Sequence, residues 1–198
     1  LLPGEAFKEG WRKYMKKAIT IFVRAMMVFS VLILLPGHTF AQSGDETEKE
    51  IKEMVQKQFE RMYQKGVENL SDRIVVSRGV KPFAVVTDTG DKVKAVRIKQ
   101  AEEMPADMAL EVLRRSLIAL VKKGKIGATA IFYIADNPNQ EANAEKVLVV
   151  EMEHIFGPTL AQLIPFTITE GKALFGEQVV VNMKKQIFNI KVDEEAAE

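Results

Sequence analysis

The chain has 198 residues, 47% hydrophobic and 28% charged, with no cysteine; that length suits one domain with a real core, and the missing thiols exclude disulfides, thiol nucleophiles and cysteine-based metal sites. Its formal charge of +1 comes from the front of the chain, because residues 1–41 hold six Lys/Arg and two acids and leave 22 basic against 25 acidic residues from Gln42 onward. A weakly acidic domain lacks the positive field that nucleic-acid binding requires, so nucleic acid is not an expected partner.

Residues 1–14 precede the first methionine, Met15, and read as over-extended translation. From Met15 to Ala41 the three parts of a secretory signal follow in order: Met15-Lys16-Lys17, the apolar run Ala25–Leu35, and Thr39-Phe40-Ala41 with small residues at −3 and −1 of a cut before Gln42. Arg24 interrupts the longer apolar stretch, which otherwise approaches the roughly 20 residues of a membrane span. The expectation is export to the periplasm or the exterior, with the leader removed and no stable membrane insertion afterwards; the alternative is a leader retained as an uncleaved anchor.

Between about Thr47 and Leu70, Ile51, Met54, Val55, Phe59, Met62 and Tyr63 recur at helical steps behind an acidic start, with Gly66 near the end. This helix and its link (residues 42–75) lead into the main domain, residues 76–190. Pro82–Thr87 and Val93–Lys99 flank the turn-forming Asp88-Thr89-Gly90-Asp91 and predict a β-hairpin. A second helix runs from about Pro105 to Lys123, with Pro105 at its first position and Gly124 just past its end. Strands follow at Ile126–Ala135, Lys146–Phe156, Leu160–Thr169 and Ala173–Val181, with a last short one near Ile187-Phe188 before an acidic tail, residues 191–198. Short turns between the later strands imply antiparallel neighbours. The expected fold is α+β in the order α-β-β-α-β-β-β-β, a mostly antiparallel sheet of five to six strands with two amphipathic helices packed on one face.

Few residues carry chemistry. His154 is the one histidine beyond the leader, so a transition-metal centre is not expected, and no phosphate loop or dinucleotide fingerprint implies a cofactor. No G-x-S-x-G pattern surrounds a serine. The candidate constellation is Glu151, Glu153 and His154. Strand alternation puts the two carboxylates on one face and His154 on the other with Leu148, Val150 and Met152. The pair could act as acid and base or hold a divalent cation, but the expected arrangement is a polar face in solvent with a partly buried, hydrogen-bonded histidine behind it. Asp88-Thr89-Gly90 matches the aspartic-peptidase tripeptide, but Asp91 and Lys92 follow it and no second copy exists, so a hairpin turn is the expected role. Asp136–Glu141 has calcium-type oxygen ligands without the EF-hand spacing, and Lys122-Lys123-Gly124-Lys125 reads as a helix end. The aromatics Phe83, Phe132, Tyr133, Phe156, Phe166, Phe175 and Phe188 would build core or line an apolar pocket.

Three segments carry a resemblance: Pro82-Phe83-Ala84 with Asp88 and Gly90; Leu113-Arg114-Arg115 through Gly127–Ile131; and Val149 through Glu151-Met152-Glu153-His154 to Ile164-Pro165-Phe166 and Gly176-Glu177. Over about residues 80–190 the chain resembles a loose family of small bacterial exported α+β proteins of unassigned function. The resemblance implies a shared scaffold and carries no catalytic residue. The functions consistent with the sequence are an envelope protein that binds an unidentified protein or small molecule without catalysis, a carrier of an apolar ligand between helices and sheet, or a hydrolase using the Glu/His cluster.

Overall fold

The computed structural model describes residues 42–71, 80–139, 144–170 and 172–189. Residues 1–41, which the sequence reads as a leader and an extension before it, most of the 71–79 link and the acidic tail lie outside the described residues. The chain falls into two compact units, residues 1–54 and 55–198. The first is described over residues 42–54, the opening of helix α1 (Gln42–Ser71), where Lys52 pairs with Glu48 at 2.7 Å. No described helix is long and apolar enough to cross a membrane.

The second unit holds a fully antiparallel sheet: β1 (Phe83–Asp88), β2 (Val93–Val96), β3 (Ile126–Asp136), β4 (Lys146–His154), β5 (Thr159–Thr169), β6 (Lys172–Phe175) and β7 (Val179–Asn182). Their spatial order is β2-β1-β3-β4-β5-β6, with β7 also paired to β5. Helix α2 (Ala106–Lys122) and a 3-10 turn (Lys99–Glu103) join β2 to β3. The fold is α+β, with the elements in the expected order.

Register shows that the two helices do not share a face, which corrects one part of the expectation. Ala84 pairs with Ile131, and Ile131 with Glu151, so these side chains stand on one side of the sheet. There they meet Leu113 and Leu117 of α2 in a core with Val86, Ile126 and Ile187. Phe83 pairs with Phe132, and Phe132 with Val150, on the other side. From Val55 onward, α1 covers that second face with buried Val55, Phe59, Met62, Tyr63, Val67 and Leu70. A helix on each side buries both faces of the central strands, which explains why β1, β3 and β4 carry runs such as FAVVT and VLVV rather than strict alternation.

Gly66 lies inside α1, not at its end. A Cβ placed there would sit 1.9 Å from Cζ of Phe132, whose ring is fully buried and stacks on Phe83 at 5.0 Å and 7°. The helix approaches the sheet across a missing side chain.

Further boundaries differ for local reasons. β2 stops at Val96 rather than reaching Lys99, because the chain turns into the 3-10 segment that buries Ala101. Pro105 caps α2 with extended ψ of 151° rather than occupying its first turn, and its carbonyl accepts from the Ala109 N–H at 2.9 Å. At the far end Gly124 takes φ +59°; its N–H bonds the Val121 carbonyl and the Lys125 N–H bonds the Leu120 carbonyl, a Schellman closure. The single strand expected over Ala173–Val181 is split into β6 and β7, giving seven strands. Phe166 pairs with Phe175 but Leu163 pairs with Val179, a slip of one residue. The Gly176 N–H donates to the Pro165 carbonyl at 2.8 Å, so Pro165 turns its carbonyl, and its missing N–H, toward this neighbour. The ladder lacks a donor there, and a bulge forms.

Candidate functional site

The strand β4 face carrying Glu151 and Glu153 is buried, not solvated; the two residues are 7% and 2% exposed. Helix α2 and the segment after β7 cover it. Isolated charges in such a place are costly unless fully hydrogen-bonded, and both carboxylates are surrounded by donors.

The Glu153 oxygens accept three successive backbone N–H groups: Gln186 at 2.8 Å on Oε1, with Ile187 at 2.9 Å and Phe188 at 3.1 Å on Oε2. These residues were expected to form a last short strand. They instead form a bend whose amides converge on one carboxylate, an anion-binding backbone nest with a side chain as its anion. Ile187, 1% exposed, is thereby pinned into the α2 core.

Glu151 is held by Arg114, whose Nη2 donates to both oxygens at 2.7 and 2.8 Å, and by the Tyr133 hydroxyl, which donates at 2.6 Å. Burial raises the Tyr133 pKa, and the adjacent carboxylate raises it further, so this hydroxyl stays protonated and donating. Arg114 and Tyr133 were not singled out as partners from sequence. The available signal was Glu151 itself: a charge inside a strand with an apolar run needs a cation on whatever covers it, and Arg114 borders the apolar stripe of α2.

His154 turns to the opposite face, 2% exposed, against the edge of Phe59 with ring centroids 6.1 Å apart. Its Nδ1 accepts the Phe156 N–H at 3.1 Å, which leaves the proton on Nε2 to be donated to Gln58 Oε1 at 3.0 Å. Gln58 then donates to Asp91 Oδ1 at 3.0 Å, and Arg61 pairs with the same oxygen. Burial, with the nearby positive Lys185, lowers the His154 pKa to about 4, so the ring is neutral near pH 7. The structure therefore joins Glu151 and Glu153 on one face, each with separate partners, and places His154 behind the sheet from both.

Asp88 is the cap of the β1–β2 turn. Its Oδ1 accepts the Gly90 and Lys92 N–H groups at 2.9 Å each, and Lys94 pairs with Oδ2 at 2.5 Å. The Lys94 hydrogen bond, followed by that from the Lys92 amide, lowers its pKa to about 2. The left-handed position of the turn falls on Asp91, at φ 60°, rather than on Gly90. In the 136–144 loop Asn137 spends its side chain closing the loop, donating to the Ala144 carbonyl at 2.7 Å and accepting the Asn139 N–H at 3.0 Å. Gln140 and Glu141 lie outside the described residues. Lys122, Lys123 and Lys125 are exposed at the helix end. Phe83, Phe132 and Phe166 are buried core, while Phe156 is exposed in the β4–β5 turn and stacks on His154 at 5.3 Å. Among the described residues no three His, Asp or Glu gather closely enough to hold a metal ion.

No protein-family model matches the sequence, and neither the curated proteins nor the solved structures contain a significant match to it.

Proposed function

We propose that this chain is an exported protein of the cell envelope, periplasmic or extracellular, that acts by binding a protein or small molecule and not by catalysis. One observation carries the non-catalytic part. The three side chains of the Glu/His cluster are each engaged inside the fold: Glu153 by three amides, Glu151 by Arg114 and Tyr133, His154 by Gln58 and the Phe156 amide. A general acid or base must reach substrate, and groups saturated by internal partners are poorly placed to do so. The export part rests on the Met15–Ala41 leader pattern.

Affinity capture of the natively produced protein from envelope extract tests the reading, with mass spectrometry of the bait's first residue and of everything bound. The expected outcome is a chain beginning at Gln42 together with an envelope protein. A chain beginning at Met15 and recovered from cytosol would overturn export, and hydrolysis abolished by Glu151→Gln or Glu153→Gln in a folded variant would overturn the binding role.

A further inference from the structure

We infer that the outer edge of β7 is a self-association surface, on which two copies of this chain pair antiparallel about a two-fold axis at Val181. The inner edge of β7 is bonded to Leu160–Leu163 of β5, and among the described residues no strand pairs with its outer edge. Val179, Val180 and Val181 on that edge are 53%, 38% and 37% exposed. Open edges are normally guarded by charge or proline. The opposite edge of the sheet, β2, follows that rule with exposed Lys94 inside it. Residues 179–182 (VVVN) contain neither charge nor proline.

The occupant is identified by the sequence around Val181. A two-fold axis normal to the sheet must keep each side chain opposite one on the same face, so the axis passes between the two copies of one residue and the paired numbers share parity. Centred on Val181, one face sets Val181 against its own copy, Val179 against Met183 and Glu177 against Lys185. This face of Glu177–Lys185 is thus its own complement, apolar in the middle with opposite charges at the rims, while on the other face Val180 meets Asn182 and Gln178 meets Lys184. Centred one residue earlier, Glu177 would oppose Met183 and this charge match would be lost. Among the described residues Lys185 donates a long 3.5 Å contact to the Ile155 carbonyl, which a carboxylate can replace. Only Val180–Asn182 of β7 pair with β7 of the other copy, and Glu177, Val179, Met183 and Lys185 extend that short ladder, so the interface is small and the dimer belongs to the weak, concentration-dependent class.

The chain has no cysteine, which makes crosslinking a clean test on protein purified from cells expressing the full chain. Val181→Cys meets its own copy across the axis at a Cβ separation of about 5 Å. Val179→Cys, on the same face, lies about 13 Å from its copy, four residues along the strand. Air oxidation of variants with wild-type melting should therefore crosslink Val181→Cys at least tenfold faster. Equal rates, or no crosslinking at Val181, would overturn the proposal. In sedimentation, Glu177→Lys and Lys185→Glu should each weaken association about fivefold, and the two together should restore it. Wild-type protein that stays monomeric to about 1 mM, where even ~4 kcal/mol of association would register, would also overturn it.

Discussion

At the scale of single residues, the chemistry of this domain is turned inward. Glu153 shows how: its buried carboxylate accepts three amides and so ties the segment after β7 to strand β4. His154 works as a neutral hydrogen-bond relay between the Phe156 amide and Gln58. Burial holds its pKa at about 4, below the ordinary histidine value of 6.5, so the unfolded chain binds a proton first as pH falls. The stability that His154 contributes is full above pH 6.5 and is lost progressively down to about pH 4. Urea titrations should show it as a slope across that window that shrinks in His154→Gln, and the imidazole NMR titration should centre near the lower value. An imidazole midpoint near 6.5 would contradict the buried relay. Asp88 and Asp91, with lowered pKa values, both belong to the β1–β2 turn, where Lys94 and Arg61 hold them ionised.

At the scale of elements, the governing fact is a helix on each face. It turns the mixed apolar runs of β1, β3 and β4 from an anomaly into a requirement, and it explains Gly66. Gly66→Ala gains roughly 1 kcal/mol of helix propensity. It also drives a methyl into the Phe132 ring, which cannot yield because it is stacked on Phe83. Overpacking of this kind costs about 1–3 kcal/mol. The expected outcome is a lower urea midpoint despite the better helix former, partly recovered by Phe132→Leu in the same chain; a midpoint raised by Gly66→Ala would show that α1 does not approach the sheet this closely. Much of the element pattern was legible beforehand, because periodicity and turn residues are local signals: α1, α2, the β1–β2 hairpin and the β3–β5 meander all lie close to where spacing puts them. The exceptions are where a distant partner intervenes. Ile187-Phe188 reads as strand by its apolar pair, yet its amides are claimed by Glu153, thirty-four and thirty-five residues away. The interruption between β6 and β7 is dictated by Pro165 on the neighbouring strand.

At the scale of the whole domain, the segment after β7 closes the α2 side of the core in the absence of any disulfide. It contributes Ile187 to the cluster with Leu113 and Leu117, and it supplies all three donors that Glu153 has in the described residues. Ending the chain at Asn182 should therefore cost at least about 3 kcal/mol, the scale for stripping a buried charge of its partners. Thermal unfolding monitored by circular dichroism should show a lowered or lost cooperative transition, partly rescued by Glu153→Leu. A truncated chain that melts like the full one would show that this segment is dispensable.

By itself the sequence determined the α+β class, the order of the described helices and strands, the antiparallel character of the sheet and the turn role of Asp88, because these follow from short-range periodicity and backbone preference. It also placed Glu151 and Glu153 on one strand face with His154 on the other, since side chains alternate along any strand. The tertiary structure alone decided which helix covers which face, and with it whether those carboxylates meet solvent or a cage of donors. Burial depends on what packs opposite, and residues far apart in the chain leave no local trace of meeting.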